Sequence, residues 1–288
     1  YIRSALLRGL AIEERIGFNP YRFGLIGSTD SHTGLASAEE PNFWGKFPRD
    51  SIPENKRGTS ISPNGPNGWS MSASGLAAVW AEDNSREAIL AAFKRREVYA
   101  TTGPRIGVRV YAGWDLTEAD LAPGSIDEVA GDRGVPVGGE LPAAPEGGAP
   151  RFLIQVTKDP KSGNLDRVQV VKGWIDASGK THERIFDVAA EDGRGRDANG
   201  AFIAVGNTVD PDRFTYTNTI GSSALSTVFE DPDFDATRNA FYYIRVLEIP
   251  TPRHSVGDAL ALGEDPRTIK RGWFIQERAY TSPIWYTP

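Results

Sequence analysis

The second half of the chain narrows the fold most. From residue 106 onward, apolar runs at 108–111, 152–156, 168–172, 184–188 and 241–246 are parted by stretches of Gly, Pro and Asp. β-Branched and aromatic side chains pack well on a pleated surface, and Gly, Pro and Asp turn the chain between strands. No helical period of comparable strength appears there. The pattern predicts an antiparallel β-sandwich over 106–288. Within it, Gly173-Trp174-Ile175-Asp176-Ala177-Ser178-Gly179-Lys180 reads as a strand and hairpin turn. His182, beside Glu183, reads as an exposed strand residue, and His254, after Pro252-Arg253, as a loop residue; neither is assigned to a metal.

Residues 1–105 have a different texture. Ile2, Leu6, Leu10 and Ile16, with Ala5 and Ile12 beside them, recur at helical spacing, and Gly17 stands where such a helix stops. Then comes Phe23-Gly24-Leu25-Ile26, a four-residue apolar run between Asn19-Pro20 and a Gly, Ser and Thr turn. That suits a strand buried on both faces, as in parallel sheets. A second strand is expected over 76–81 and a third over 98–102. Between them Asn84-Ser85-Arg86-Glu87 reads as a capping box opening a helix with Ile89, Ala92 and Phe93 inward. Lys94, Arg95 and Arg96 fall in its last turn, where positive charge suits the helix dipole. Helix, strand, loop and strand in this order predict βα units.

In such folds reacting groups sit just past the carboxyl end of a strand. The first apolar run leads into Gly27-Ser28-Thr29-Asp30-Ser31-His32-Thr33-Gly34. An Asp and a His two positions apart on a loop can turn toward one point, offering an oxygen and an imidazole nitrogen to a divalent cation. The plainer alternative is that Asp30 caps a turn and His32 makes a local hydrogen bond. Residues 33–73 form a long segment rich in Gly, Pro, Ser and Asn, including Ser62-Pro63-Asn64-Gly65-Pro66-Asn67-Gly68. Loops of that length are commonly lids. Glu39, Glu40, Asn42, Trp44 and Lys46 follow the Asp30 loop closely enough to reach over it, with Lys46 a candidate substrate contact.

Tyr1 to Leu10 and Gly24-Leu25-Ile26-Gly27-Ser28-Thr29-Asp30-Ser31-His32 resemble the closing part of a barrel in an uncharacterised bacterial family. That family, a domain of unknown function, is placed in the PHP (polymerase and histidinol phosphatase) superfamily of metal-dependent hydrolases. Further matching stretches are 74–82, Tyr99-Ala100-Thr101-Thr102-Gly103-Pro104-Arg105 and the tail from Phe241, notably Gln276-Glu277-Arg278-Ala279 and Ser282-Pro283-Ile284-Trp285-Tyr286. The resemblance implies an α/β plus all-β fold: the closing part of a PHP-type (βα) barrel over 1–105, with its long loop at 33–73, followed by the β-sandwich. It implies metal ligation by Asp30 and His32, with zinc, manganese or iron as the divalent cation. It implies Arg105 as a contact for an anionic substrate, an ion pair within the fold being the alternative. The activity implied is hydrolysis of a phosphoester or related ester or carbamate by metal-activated water, whose pKa a cation lowers to about 7. A periplasmic or secreted location is implied as well. PHP proteins also carry an early His-x-His and mid-barrel His and Glu ligands. Here the three histidines, His32, His182 and His254, include no such pair. The chain is therefore expected to work with an upstream part of the same protein.

Composition removes other classes. A net charge of −6 with interspersed signs offers no surface for nucleic acid. No apolar stretch approaches the roughly 18 residues of a membrane helix. Zero cysteines excludes disulfides and thiol chemistry. Ser28, Asp30, Ser31 and His32 are too close in sequence to orient one another as a triad. Two readings stand: the hydrolase of small-molecule esters that the resemblance implies and, as the alternative, a non-catalytic β-sandwich module for binding or assembly.

Overall fold

The computed structural model describes residues 1–34, 39–57, 68–73, 75–269 and 272–288; most of the stretch 62–68 singled out above lies outside them. In chain order the elements are α1 (Ile2–Ile16), β1 (Leu76–Val79), α2 (Arg86–Arg95), β2 (Val98–Thr101), β3 (Gly107–Gly113), α3 (Ser125–Asp132), β4 (Val135–Pro136), β5 (Glu140–Leu141) and β6 (Arg151–Thr157). They continue with β7 (Leu165–Ile175), β8 (Thr181–Ala190), β9 (Ala224–Glu230), β10 (Ala240–Pro252), α4 (His254–Ala261), β11 (Phe274–Thr281) and β12 (Ile284–Tyr286).

Two sheets face each other. The smaller runs β4-β3-β6-β9. The larger is built around β10, which carries β7 along one edge; on the other it carries β12 at Ala240–Tyr242 and β11 from Arg245 to Pro252. Sheet partners beyond these are β8 on β7, β2 on β11, β1 on β2, and β5 on β12. All pairings are antiparallel except β5 with β12. Val108, Val110, Phe152 and Ile154 of one sheet share a buried cluster with Val168, Val170, Tyr242 and Ile244 of the other. The rings of Phe152 and Tyr242 lie 4.7 Å apart across it. Burial on this scale, at about 25 cal/mol per Å² of apolar surface, holds the layers together.

The other face of the larger sheet is covered by α1. Leu6 and Leu10 join Val171, Ile175, Phe241, Tyr243 and Trp285 in a second cluster. Gly9 sits against Asn19, where a Cβ would come within 2.3 Å of the side-chain oxygen. Gly17 ends the helix at φ 71°, its N–H donating to the Glu13 carbonyl. Ile2 and Ile16 are exposed, so the apolar stripe is narrower than the spacing predicts. In α2 the Ser85 hydroxyl caps the Ala88 N–H at 3.2 Å; Ala92 is buried but Phe93 is 38% exposed.

The expected βα barrel is overturned. The runs read as parallel barrel strands at 76–81 and 98–102 do form β1 and β2, but these pair antiparallel with each other, Leu76 opposite Thr101 and Val79 opposite Val98. β2 then pairs antiparallel with β11. The run 23–26 joins no ladder; it is an extended segment whose Leu25 N–H donates to the Ser282 hydroxyl at 2.9 Å. The physical reason is that a short apolar run suits a parallel or an antiparallel neighbour equally, and direction is set by the partner. Here that partner is the tail strand β11, which adds to the β2 edge. Two short helices, α3 and α4, also stand within the half that shows no helical period.

Candidate functional site

Gly27 lets the extended 23–29 segment press against the sheet. A Cβ there would lie 2.7 Å from the carbonyl oxygens of both Leu76 and Thr101. The Ser28 carbonyl accepts from the Gly75 N–H at 2.8 Å. Asp30 follows with φ 47°, a left-handed conformation that Asp tolerates better than most residues. Its carboxylate pairs with the Lys46 ammonium, which holds its pKa below the ordinary value. His32 Nδ1 lies 3.1 Å from the Asp30 carbonyl oxygen, its N–H donates to the Lys46 carbonyl at 2.8 Å, and its ring packs on Phe47 at 4.8 Å. Asp30, His32 and Lys46 are thus brought together at an exposed loop. Arg105 goes elsewhere and pairs with Glu39 at 3.0 Å.

A divalent cation needs about three protein ligands around an open position. The donor set here is one carboxylate and one imidazole, and an ammonium already engages the carboxylate. Among the described residues no group of three or more His, Asp or Glu side chains is placed to hold a metal ion. These residues do not fit a resident divalent cation, and no chemical step is routed through one.

Carboxyl groups gather a short way along the chain from the Gly27 contact. The residue after β2, Thr102, donates its hydroxyl to Glu277 of β11. Glu277 lines a cavity of about 220 Å³ together with Glu39, Glu40, Asp159, Lys161 and Tyr216. It is buried, and burial together with the negative charge of Glu40 pushes its pKa up to about 8. Glu248 lies behind the wall. Its Oε2 accepts from the Ser162 hydroxyl at 2.6 Å, Ser162 itself lines the cavity, and Oε1 is buried with no partner. Burial first, then the nearby carboxylates of Glu277 and Asp159, push Glu248 up to about 8 as well. Glu40 goes the other way: burial raises it, but hydrogen bonds and charge from His254 and charge from Arg253 outweigh that and hold it below its ordinary value.

The cavity therefore joins carboxyls held in opposite protonation states at neutral pH. That is the arrangement acid–base chemistry requires. A larger cleft of about 610 Å³ lies between β8 and β9, but its charges are largely engaged. Arg184 pairs with Asp233, Arg196 with the carbonyls of Asp187 and Gly200, and Glu230 with Arg151.

Of the residues lining the cavity, the sequence points to Glu39, Glu40 and Asn42 as residues reaching over the Asp30 loop; Arg105, expected to contact an anionic substrate, does not line the cavity and pairs with Glu39. It misses Glu248 and Glu277. For Glu248 the available signal is a lone Glu in an apolar run, Val246-Leu247-Glu248-Ile249 in β10; Glu277, between Gln276 and Arg278 in β11, carries no such signal. His254, read as a loop residue, opens α4 and hydrogen-bonds Glu40.

Among the described residues no helix is long and apolar enough to cross a membrane. The family DUF3604, described as a protein of unknown function, matches residues 1–288. No curated protein and no solved structure matches the chain.

Proposed function

The chain belongs to the DUF3604 family of proteins of unknown function, and we propose that it works as a hydrolase of small, uncharged esters or carbamates, with Glu277 as the general acid. The observation that carries this reading is a buried carboxyl that keeps its proton to about pH 8 while lining a cavity open to a small molecule. Such an acid can donate to a departing oxygen at neutral pH, worth about 10²–10⁴ in rate. Water adds to the carbonyl carbon, the carbon–oxygen bond to the leaving group breaks, and the Glu277 proton goes to the leaving oxygen. The proton that water loses restores Glu277. Glu39 and Asp159 line the same cavity and can orient the water.

Charge decides the substrate class. Four carboxyl residues and one lysine line the cavity, so a phosphomonoester dianion would be repelled and a neutral ester or carbamate tolerated. The chemistry proposed uses residues of this chain alone.

The test is an assay of the 288-residue chain on short-chain carboxylic esters, carbamates and phosphomonoesters, beside Glu277→Gln. Turnover of the uncharged substrates should decline as pH rises past about 8 and drop about 100-fold in the variant. Equal rates in wild type and Glu277→Gln, or activity confined to phosphomonoesters, would rule the proposal out. A second reading, binding without turnover, is favoured by the cleft between β8 and β9, which is the more spacious of the two. Saturable ester binding with no product in either protein would select it.

A further inference from the structure

We propose that the Glu40 carboxylate is a clasp that seats the 39–42 turn as one wall of the cavity, and that protonating it in acid swings this wall open. The proposal concerns access to the cavity and stands whatever the cavity does with its contents.

The segment 39–56 has little apolar anchorage. Its buried side chains are Glu40, Asp50 and Lys56, all charged, while Trp44 and Ile52 are about half exposed. A segment held this way depends on particular polar contacts and not on apolar area. Asp50 closes its own turn, accepting from the Phe47 N–H at 3.1 Å. Among the described residues, the other two are buried tethers to the rest of the fold, and each makes a contact on α4. Lys56 pairs with Asp258, and Glu40 meets His254 one helical turn earlier.

Glu40 is the more connected of the pair. Its Oε1 accepts from the Ala73 N–H at 2.8 Å, and its Oε2 accepts from the His254 N–H at 2.7 Å and lies 3.0 Å from His254 Nδ1. One carboxylate thereby joins three segments that are distant in sequence. Phe43, three residues on, rests on the His254 ring at 4.4 Å. Glu39, Glu40, Pro41 and Asn42 together line the cavity. Releasing Glu40 therefore removes a wall.

The titratable and basic groups facing Glu40 are His254 and Arg253 at the start of α4 and Glu277 from β11. The two basic groups hold Glu40 below its ordinary value of 4.5 against the effect of burial. A carboxyl depressed in the folded state contributes in full above its unfolded value, and the contribution is lost as pH falls through the folded one. The clasp is therefore closed at neutral pH and opens in acid, below the ordinary carboxylate range.

Amide hydrogen exchange on the 288-residue chain tests this, with protection factors correcting for intrinsic pH effects. In Glu40→Ala at neutral pH, protection across 39–56 and at the Ala73 and His254 amides should fall at least about tenfold, as for loss of a charge-assisted hydrogen bond, with β7 and β10 unchanged. Wild type taken stepwise into acid below 4.5 should show the same local loss before β7 and β10 are affected. Unchanged protection of 39–56 in the variant overturns the clasp. If Glu40→Ala also loses β7 and β10 protection, the wild-type series decides, and 39–56 protection that persists in acid until β7 and β10 are themselves lost overturns it equally.

Discussion

Glu248 and Glu277 face one another across a β-bulge, where two residues of β10 oppose one of β11 between the pairs Leu247 with Arg278 and Pro250 with Gln276. Bulges re-aim side chains and often stand beside reactive sites. Here the bulge brings two buried carboxyls near each other: the Glu277 charge helps raise the pKa of Glu248, while burial and the Glu40 charge raise that of Glu277.

Stability should fall with rising pH because of this pair. A group whose folded pKa lies above its unfolded value contributes fully below the unfolded value and loses that contribution as pH climbs to the folded one. For both glutamates the window runs from 4.5 to about 8. Each raised carboxyl costs at most about 1.4 kcal/mol of stability per pH unit inside it. Urea unfolding at intervals from pH 5 to 8 should show the decline, and Glu277→Gln should flatten it. A wild-type curve level across that range would contradict the assigned pKa values.

Lys172 and Asp231 make a different kind of buried pair, 2.6 Å apart with side chains 3% and 0% exposed. Asp231 also accepts from the Tyr242 hydroxyl at 2.6 Å, and Lys172 donates to the Asp233 carbonyl at 2.7 Å. Removing one partner strands the other, so Lys172→Met should cost about 3–5 kcal/mol in denaturant unfolding. Replacing both at once with apolar residues should cost less than that single change. Additive losses would mean the charges are not coupled.

The strands were legible because Val, Ile, Phe and Tyr between turn residues mark them whatever their partners. Their direction was not. β1 and β2 each offer four residues, too few to show whether one face or both are covered, and the strand that settles it, β11, lies some 170 residues downstream. The nearness of Asp30, His32 and Lys46 could be read, since two of them share one loop. The cavity could not, because residues 39–42, 104, 159–162, 216, 251–252 and 277 meet only after folding. Alternation puts Glu277 on the buried face of its strand with Ala279 and Thr281, but the burial and the Glu40 charge that raise its pKa arise only in the fold.

The exposed Asp30 loop yields a prediction about cations. With Lys46 on the Asp30 carboxylate and no third ligand among the described residues, Zn²⁺ or Mn²⁺ should leave the unfolding midpoint of the 288-residue chain unchanged. Lys46→Ala would free the carboxylate and should give weak binding, detectable by calorimetry and abolished by His32→Ala. Tight binding to the unaltered chain would show that the loop rearranges around a metal.

Gly27 and Gly34 flank that loop and should respond differently to the same change. At Gly27 a Cβ would meet two backbone carbonyl oxygens at 2.7 Å, and backbone cannot swing aside as a side chain can. Gly27→Ala must therefore push the 23–29 segment off β1 and β2, costing about 1–3 kcal/mol as overpacking does. The displacement reaches further than the loop, because the Thr101 end of β2 leads straight into Thr102, whose hydroxyl donates to Glu277. Gly34 has open space around it, but its φ of 74° disfavours any Cβ, so Gly34→Ala should cost about 1–2 kcal/mol through backbone strain alone. Similar stability losses should thus have different consequences at the cavity: Gly27→Ala should alter the Glu277 titration and any ester turnover, and Gly34→Ala should leave both as they are. Carboxyl ¹³C chemical shifts followed over pH would read the first effect and the ester assay the second, and an unmoved Glu277 in Gly27→Ala would show that β2 does not couple the loop to the cavity.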